Sequence, residues 1–331
     1  MKKILGDAGF YQNLTTEQLY ALYRAEIPLE AILAGRRYRL PVSIVIESSD
    51  DRHPDLVCEK RPDKYSIPDI LADYTRPVAK ALDGDEKSHD GQVVRLASLE
   101  NDTLVLQEAS YYEGVATNFA MDHRPEGHSK SLRELLHAES GGFGDFENNP
   151  LVNHIGVVCM IETSDGKLIV QKRSQQVTNR GDTLSSSVSG AVDWADIAPL
   201  SSPFSIGKLA ESALREAFEE LGIAIKDIDF LGLLREFPRG GKPEIYYFAR
   251  TDMPFQTAYD KWKKNARDDT ESREIFGYEF LSTHVRPDKL SRDAFEERTG
   301  RILDQIGKSA NLTLVTGVVL TAKHILKKCS S

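Results

Sequence analysis

The sequence predicts an α/β fold in two parts: a carboxyl-terminal unit over 151–331 and a smaller α+β amino-terminal unit over 1–150. Three observations lead there. Apolar residues at Ile206, Leu209, Ala210, Ala213, Leu214, Ala217, Phe218 and Leu221 have the spacing of one buried helical face. Short apolar runs bounded by turn residues stand on both sides of that helix. At 331 residues the chain is long enough for two domains.

Composition bounds the rest. Forty per cent hydrophobic and 28% charged residues describe an ordinary globular protein. A net charge of −9 and a pI near 5.5 argue against broad electrostatic binding of nucleic acid, which needs a basic face. Cys58, Cys159 and Cys329 have neither metal-ligand spacing nor a disulfide framework and fit a reducing cytoplasm. Met1-Lys2-Lys3 is followed by Gly6, Asp7, Gln12 and Asn13 rather than by the apolar segment of a signal peptide. No run approaches the roughly 18 apolar residues of a membrane span.

Along the amino-terminal unit, 16–34 reads as a helix opening at a capping signal at Thr15 or Thr16, and 40–46 as a strand. Residues 93–98 and 103–107 alternate enough to form a hairpin across Glu100-Asn101-Asp102. A short helix is expected over 131–138, and 139–150 (ESGGFGDFENNP) reads as a linker or surface loop. Tyr111 and Tyr112 could stack a nucleobase; packing in a strand is the favoured reading.

The carboxyl-terminal unit opens with a strand over 155–162, an Asp-Gly turn at Ser164-Asp165-Gly166-Lys167, and a returning strand over 168–172 closed by Arg173-Ser174. Residues 188–192 form the next run. Ser205 is the expected N-cap of the helix over 206–221, and Gly222 its left-handed C′ residue. Then come strands over 228–237 and 244–249 around a Pro238–Lys242 turn, a helix over 258–266 and a strand over 274–281. Residues 311–328 carry Leu312, Val315, Val318, Val319, Ala322, Ile325 and Leu326 at helical spacing with a basic end, as the macrodipole prefers. This helix is expected to pack on its own domain or a partner subunit rather than on a membrane, because its polar face holds threonines and no cationic band.

Chemistry concentrates at the end of the central helix. Glu216, Glu219 and Glu220 project into one arc of about 100° beside the apolar stripe. Ionised carboxylates so placed repel one another, and the helix C-terminus disfavours negative charge. A hard divalent cation with oxygen ligands relieves both. The bland alternative is a solvated acidic face.

The stretch Arg215-Glu216-Ala217-Phe218-Glu219-Glu220-Leu221-Gly222-Ile223 resembles the core of the Nudix box, G-x5-E-x7-R-E-U-x-E-E-x-G-U, where U is bulky and aliphatic. Counted back from Arg215, the box glutamate would be Gly207 and its glycine Ser201, and neither matches. Gly190 is the better opening glycine. It lies 26 positions before Glu216 against 15 in the formula, so 11 residues are inserted within 193–205, a stretch that reads as loop. The resemblance covers about 153–290 and implies a Nudix α/β/α sandwich with a mixed sheet. It also implies hydrolysis of a diphosphate linkage with Mg²⁺ or Mn²⁺ held by Glu216, Glu219, Glu220 and the Gly190 carbonyl, while Arg215 braces a glutamate.

Glu219 or Glu220 would take the attacking water's proton. Glu271 and Glu274 stay as candidates because some family members place the base on a later loop. Lys172, Arg173, Arg235 and Arg239 could contact phosphates. Pro238 stands 15 residues beyond Ile223, where the family's ADP-ribose hydrolases tend to have a proline. The expected substrate is therefore a small nucleoside diphosphate linked to another moiety, with a homodimer compatible. An isopentenyl-diphosphate isomerase of the same fold would need a catalytic cysteine in a loop, whereas Cys159 falls mid-strand. A regulatory nucleotide-sugar-binding module is the non-enzymatic alternative.

Overall fold

In a computed structural model the described residues are 14–48, 56–83, 90–173, 183–225, 227–265 and 272–330. The chain opens on α1 (Thr16–Leu22), closed at its start by a capping box between Thr15 and Gln18. The helix expected over 16–34 stops there, and β1 (Leu29–Leu33) takes its place. The cause is local. Pro28 disfavours helical backbone at Ile27, and buried Leu29, Ala31 and Leu33 alternate with exposed Glu30 and Ile32, a period of two. β2 (Arg36–Leu40) pairs antiparallel with β1, and β3 (Val42–Glu47) follows. Pro41, which has no N–H to donate, splits the single strand expected over 40–46.

β4 (Val57–Lys60) and α2 (Ala72–Asp83) lead to the hairpin of β5 (Gln92–Glu100) and β6 (Thr103–Ser110). Its turn residues Asn101 and Asp102 hold φ of 46° and 65°, which these side chains tolerate. Tyr111 and Tyr112 fall on a helical turn, α3 (Tyr111–Gly114), rather than in a strand. Tyr111 meets Phe119 and His154 edge-on, which is packing. α4 (Leu132–His137) starts at a capping box between Ser131 and Glu134. The segment 139–150 has no regular structure but is no free surface loop: Phe143 and Phe146 are 3% and 5% exposed and pack around Arg235.

The carboxyl-terminal half keeps the expected elements in order: β7 (Gly156–Glu162), β8 (Lys167–Arg173), β9 (Leu184–Ser185), β10 (Val188–Ala191), α5 (Trp194–Ile197), β11 (Phe204–Ser205) and α6 (Ala210–Leu221). Then come β12 (Asp227–Glu236), β13 (Lys242–Arg250), α7 (Phe255–Asn265), β14 (Ser272–Glu279), α8 (Lys289–Ile306) and α9 (Leu312–Lys328). Of these, β9, α5, β11 and α8 are additions that the sequence did not declare. The main sheet runs β14-β8-β7-β13-β12-β3, with β9 on β8 and β10 on β7; β7 and β13 are parallel, so the sheet is mixed. Alternation along β7 divides the core. Val157, Cys159 and Ile161 pack with α6 and α7, whereas Val158 and Met160 pack with α8 and α9. That is an α/β/α sandwich. Gly317 lets α9 approach closely, since a Cβ there would sit 2.6 Å from the Met160 sulfur. Among the described residues no helix is long and apolar enough to cross a membrane.

The two halves are stitched together. β3 forms the edge of the main sheet on β12, and β11 extends the second sheet, β11-β4-β6-β5. Arg133, with no exposed side-chain surface, donates to both Asp122 oxygens, the Tyr23 hydroxyl and the carbonyls of Phe237 and Pro238. It therefore ties α1 and α4 to the β12–β13 turn. Replacing Arg133 by Met leaves these acceptors and the Asp122 charge buried without their donor. The variant should lose about 3–5 kcal/mol of unfolding free energy in denaturant titration; a loss under about 1 kcal/mol would show that Arg133 does not hold the halves together.

Candidate functional site

α6 sets the site. A 3₁₀ turn, Ile206–Leu209, precedes it, so the expected helix over 206–221 begins as a tighter turn; the Ser205 hydroxyl accepts from the Gly207 N–H. Gly222, at φ 67°, ends the helix and donates to the carbonyls of Ala217 and Phe218. Ala210, Ala213, Ala217 and Leu221 form the buried stripe. Phe218, placed on that stripe by its spacing, is 64% exposed. It lies a step of about 100° from Ala217, beyond the edge of what the sheet covers.

The acids sit on the flank beside the stripe. Gly190 on β10 pairs with Val157 and faces α6. A Cβ at Gly190 would meet Glu216 Oε1 at 2.4 Å and its Cδ at 2.6 Å. Only a residue without a side chain lets that carboxylate lie against the strand.

Arg215 is the hub. Its guanidinium lies 3.1 Å from Asp193, 3.5 Å from Asp196, 3.3 Å from Glu216 and 3.0 Å from Glu219. Burial works against the Arg215 charge, yet the surrounding acids leave its pKa raised, with Glu216 the strongest of them. Asp193 is pushed up by burial, against the pull of Arg215. Ser212 donates its hydroxyl to Asp196 at 2.6 Å.

Asp193 and Asp196 lie in the stretch 193–205 that reads as loop and were not singled out there as site residues. The signal was there: counted forward from Gly190, the sixth residue, where the box has its first glutamate, is Asp196. The extra residues come after it. Nor is 193–205 merely loop, since it holds α5 and β11. Lys60 of β4 places its ammonium on the carbonyls of Ile197, Ala198 and Leu200 at 3.3, 2.8 and 2.7 Å, which fastens the end of α5.

Glu220 points elsewhere. Gln171 donates to it at 2.5 Å. A small cleft here is lined by Gln171, Arg173, Ser185, Ser186, Ser189 and Glu220, so Arg173 stands beside a box acid. Lys172 is the β8 partner of Glu274 on β14, and Glu271 lies outside the described residues. Arg235, Arg239 and Pro238 do not line the cleft. Arg235 donates to the carbonyls of Gly241 and Gly144 and stacks over Phe143 and Phe146; burial lowers its pKa to about 10. Arg239 pairs with Glu236 and Glu244. The Pro238 carbonyl accepts from Arg133.

Among the described residues no three His, Cys, Asp or Glu side chains converge as a metal cluster. Glu216 and Glu219 turn to Arg215, and Glu220 to Gln171. The donor chemistry still fits a hard divalent cation: three carboxylates on adjacent turns, beside a bare strand backbone that receives one of them. Gly190→Ala tests that fit. The added methyl should displace Glu216 and weaken Mn²⁺ binding, read by calorimetry, by tenfold or more; unchanged affinity would mean that Glu216 holds no ion from this position.

A profile of the NUDIX domain matches residues 152–305. Among solved structures, the chain is similar to a Deinococcus radiodurans protein at 18% identity, over 54% of this chain and 83% of that one, with a TM-score of 0.30. It is similar to a NUDIX-family hydrolase from Clostridium perfringens at 12% identity, over 54% and 99%, with a TM-score of 0.30. A mutant Bacillus subtilis pyrophosphohydrolase gives 18% identity over 53% and 81%, with a TM-score of 0.29. No curated protein matches. By its box and by that profile, residues 152–305 of the chain are a NUDIX domain.

Proposed function

We propose that this protein hydrolyses the diphosphate linkage of a nucleoside diphosphate joined to another moiety, of the ADP-ribose or nucleotide-sugar kind, with Mg²⁺ or Mn²⁺. The observation that carries this reading is the seating of Glu216 against Gly190 while Arg215 gathers Glu216 and Glu219. When bound, the cation supplies charge neutralisation on the diphosphate and an acidified water. Glu216, Glu219 and Glu220 offer the oxygens that hold it. Glu216 is the least exposed of the two glutamates that Arg215 binds, at 16% of its side-chain surface against 56% for Glu219, and is the more rigid ligand.

Glu219 or Glu220 accepts the attacking water's proton. Glu219 meets solvent, which can carry the proton away; Glu220 lies at the cleft, oriented by Gln171. Arg173 stands where it can meet a phosphate of a substrate held at Glu220. Arg235, Arg239 and Pro238 act on the substrate only indirectly, by fixing the β12–β13 turn.

The test is turnover of a panel comprising ADP-ribose, NADH, nucleotide sugars, dinucleoside polyphosphates and allylic diphosphates, with Mg²⁺ or Mn²⁺. Wild type should release a nucleoside monophosphate or sugar phosphate, and Glu219→Gln or Glu220→Gln should cut kcat roughly 10²-fold or more. Thermal stabilisation by a nucleotide sugar without turnover would replace this reading with a binding module. Isomerised allylic product would replace it with an isomerase.

A further inference from the structure

We infer that Gln171 is a positioning residue that fixes Glu220 for the reaction. The inference rests on the hydrolase reading above. Gln171 is 4% exposed. Its one amide nitrogen has two hydrogens and two acceptors, the Ser187 carbonyl and Glu220 Oε2, each at 2.5 Å.

Ser187, fully buried, is itself fastened to both central strands. Its hydroxyl accepts from the Ile161 N–H of β7 at 2.7 Å and donates to the Ile169 carbonyl of β8 at 2.5 Å. The amide is thus gripped from the sheet side and presents its remaining hydrogen to a carboxylate on α6. A primary amide suits this place. It donates without carrying charge, so it orients an ionised glutamate without competing for it as a cation would.

Arg215 gathers the other two glutamates of the box. Its guanidinium lies 3.3 Å from Glu216 and 3.0 Å from Glu219. The acids therefore have two separate holders, one on the insertion side and one on the strand side. Both hydrogens of the nearly buried Gln171 amide are taken by Ser187 and Glu220, so it acts through that carboxylate.

A double-mutant cycle reads this directly. Gln171→Met keeps the length of the side chain and removes the donor. In the wild-type background it should lower kcat about tenfold or more with KM for the diphosphate little changed, and weaken Mn²⁺ binding by calorimetry. In the Glu220→Gln background the same change should lower kcat less than twofold. The lost bond to Ser187 should reduce melting temperature equally in both backgrounds. A tenfold kcat loss that persists with Glu220→Gln, or no kcat loss in the wild-type background, overturns the inference. If Gln171→Met does not fold, Gln171→Leu, also uncharged and without the donor, is compared in the two backgrounds by the same criteria. Absence of turnover by the unmodified protein would instead sink the hydrolase reading; the Mn²⁺ affinities would then still judge whether Gln171 orients Glu220.

Discussion

One guanidinium among four carboxylates is the constraint on which the candidate site depends. Without Arg215, Asp193, Asp196, Glu216 and Glu219 would face one another across a few ångströms, partly out of water, and repulsion would favour protonation or displacement. The four pairs differ in weight. Glu219 is more than half exposed, and such pairs contribute about 0.2–1 kcal/mol. Asp196 and Glu216, at 19% and 16%, are screened less and set where the guanidinium lies. The position of Glu216 is fixed twice, by Arg215 and by the bare backbone of Gly190.

The same constraint explains how the amino-terminal half is joined to the candidate site. Asp193 and Asp196 reach Arg215 at the start of α5, which lies against β5 and the Ile206–Leu209 turn and is fastened at its end by Lys60 of β4. β11, also from the insertion, pairs with β4. A continuous path of contacts thus runs from the second sheet through the insertion to the box helix. Arg133 makes an equivalent join at the β12–β13 turn. The arginines that looked available for phosphate at that turn, Arg235 and Arg239, are committed to aromatic stacking and to buried acids.

The legible parts of the fold are those whose signal is local. The β7–β8 hairpin declares itself through Asp165-Gly166, the β5–β6 hairpin through Asn101-Asp102, and α9 through an unbroken helical spacing capped by Asn311. The helix read over 16–34 failed because its second half, Leu29 to Leu33, carries a two-residue period that a search for apolar density does not separate from a helical one. Phe218 misled for a different reason. Spacing places a residue on an angle around the helix, but the width of the covered stripe is set by the sheet beneath it.

The sequence by itself determined the box helix, its three glutamates, its closing glycine and the order of strands around it, because each of these depends on neighbours within a few residues. Only the tertiary structure decided that Asp193 and Asp196 hold Arg215 and that Gln171 meets Glu220 from a strand of the sheet. Those partners are brought together by chain folding across 19 to 49 residues, and no local period or turn residue records such a meeting.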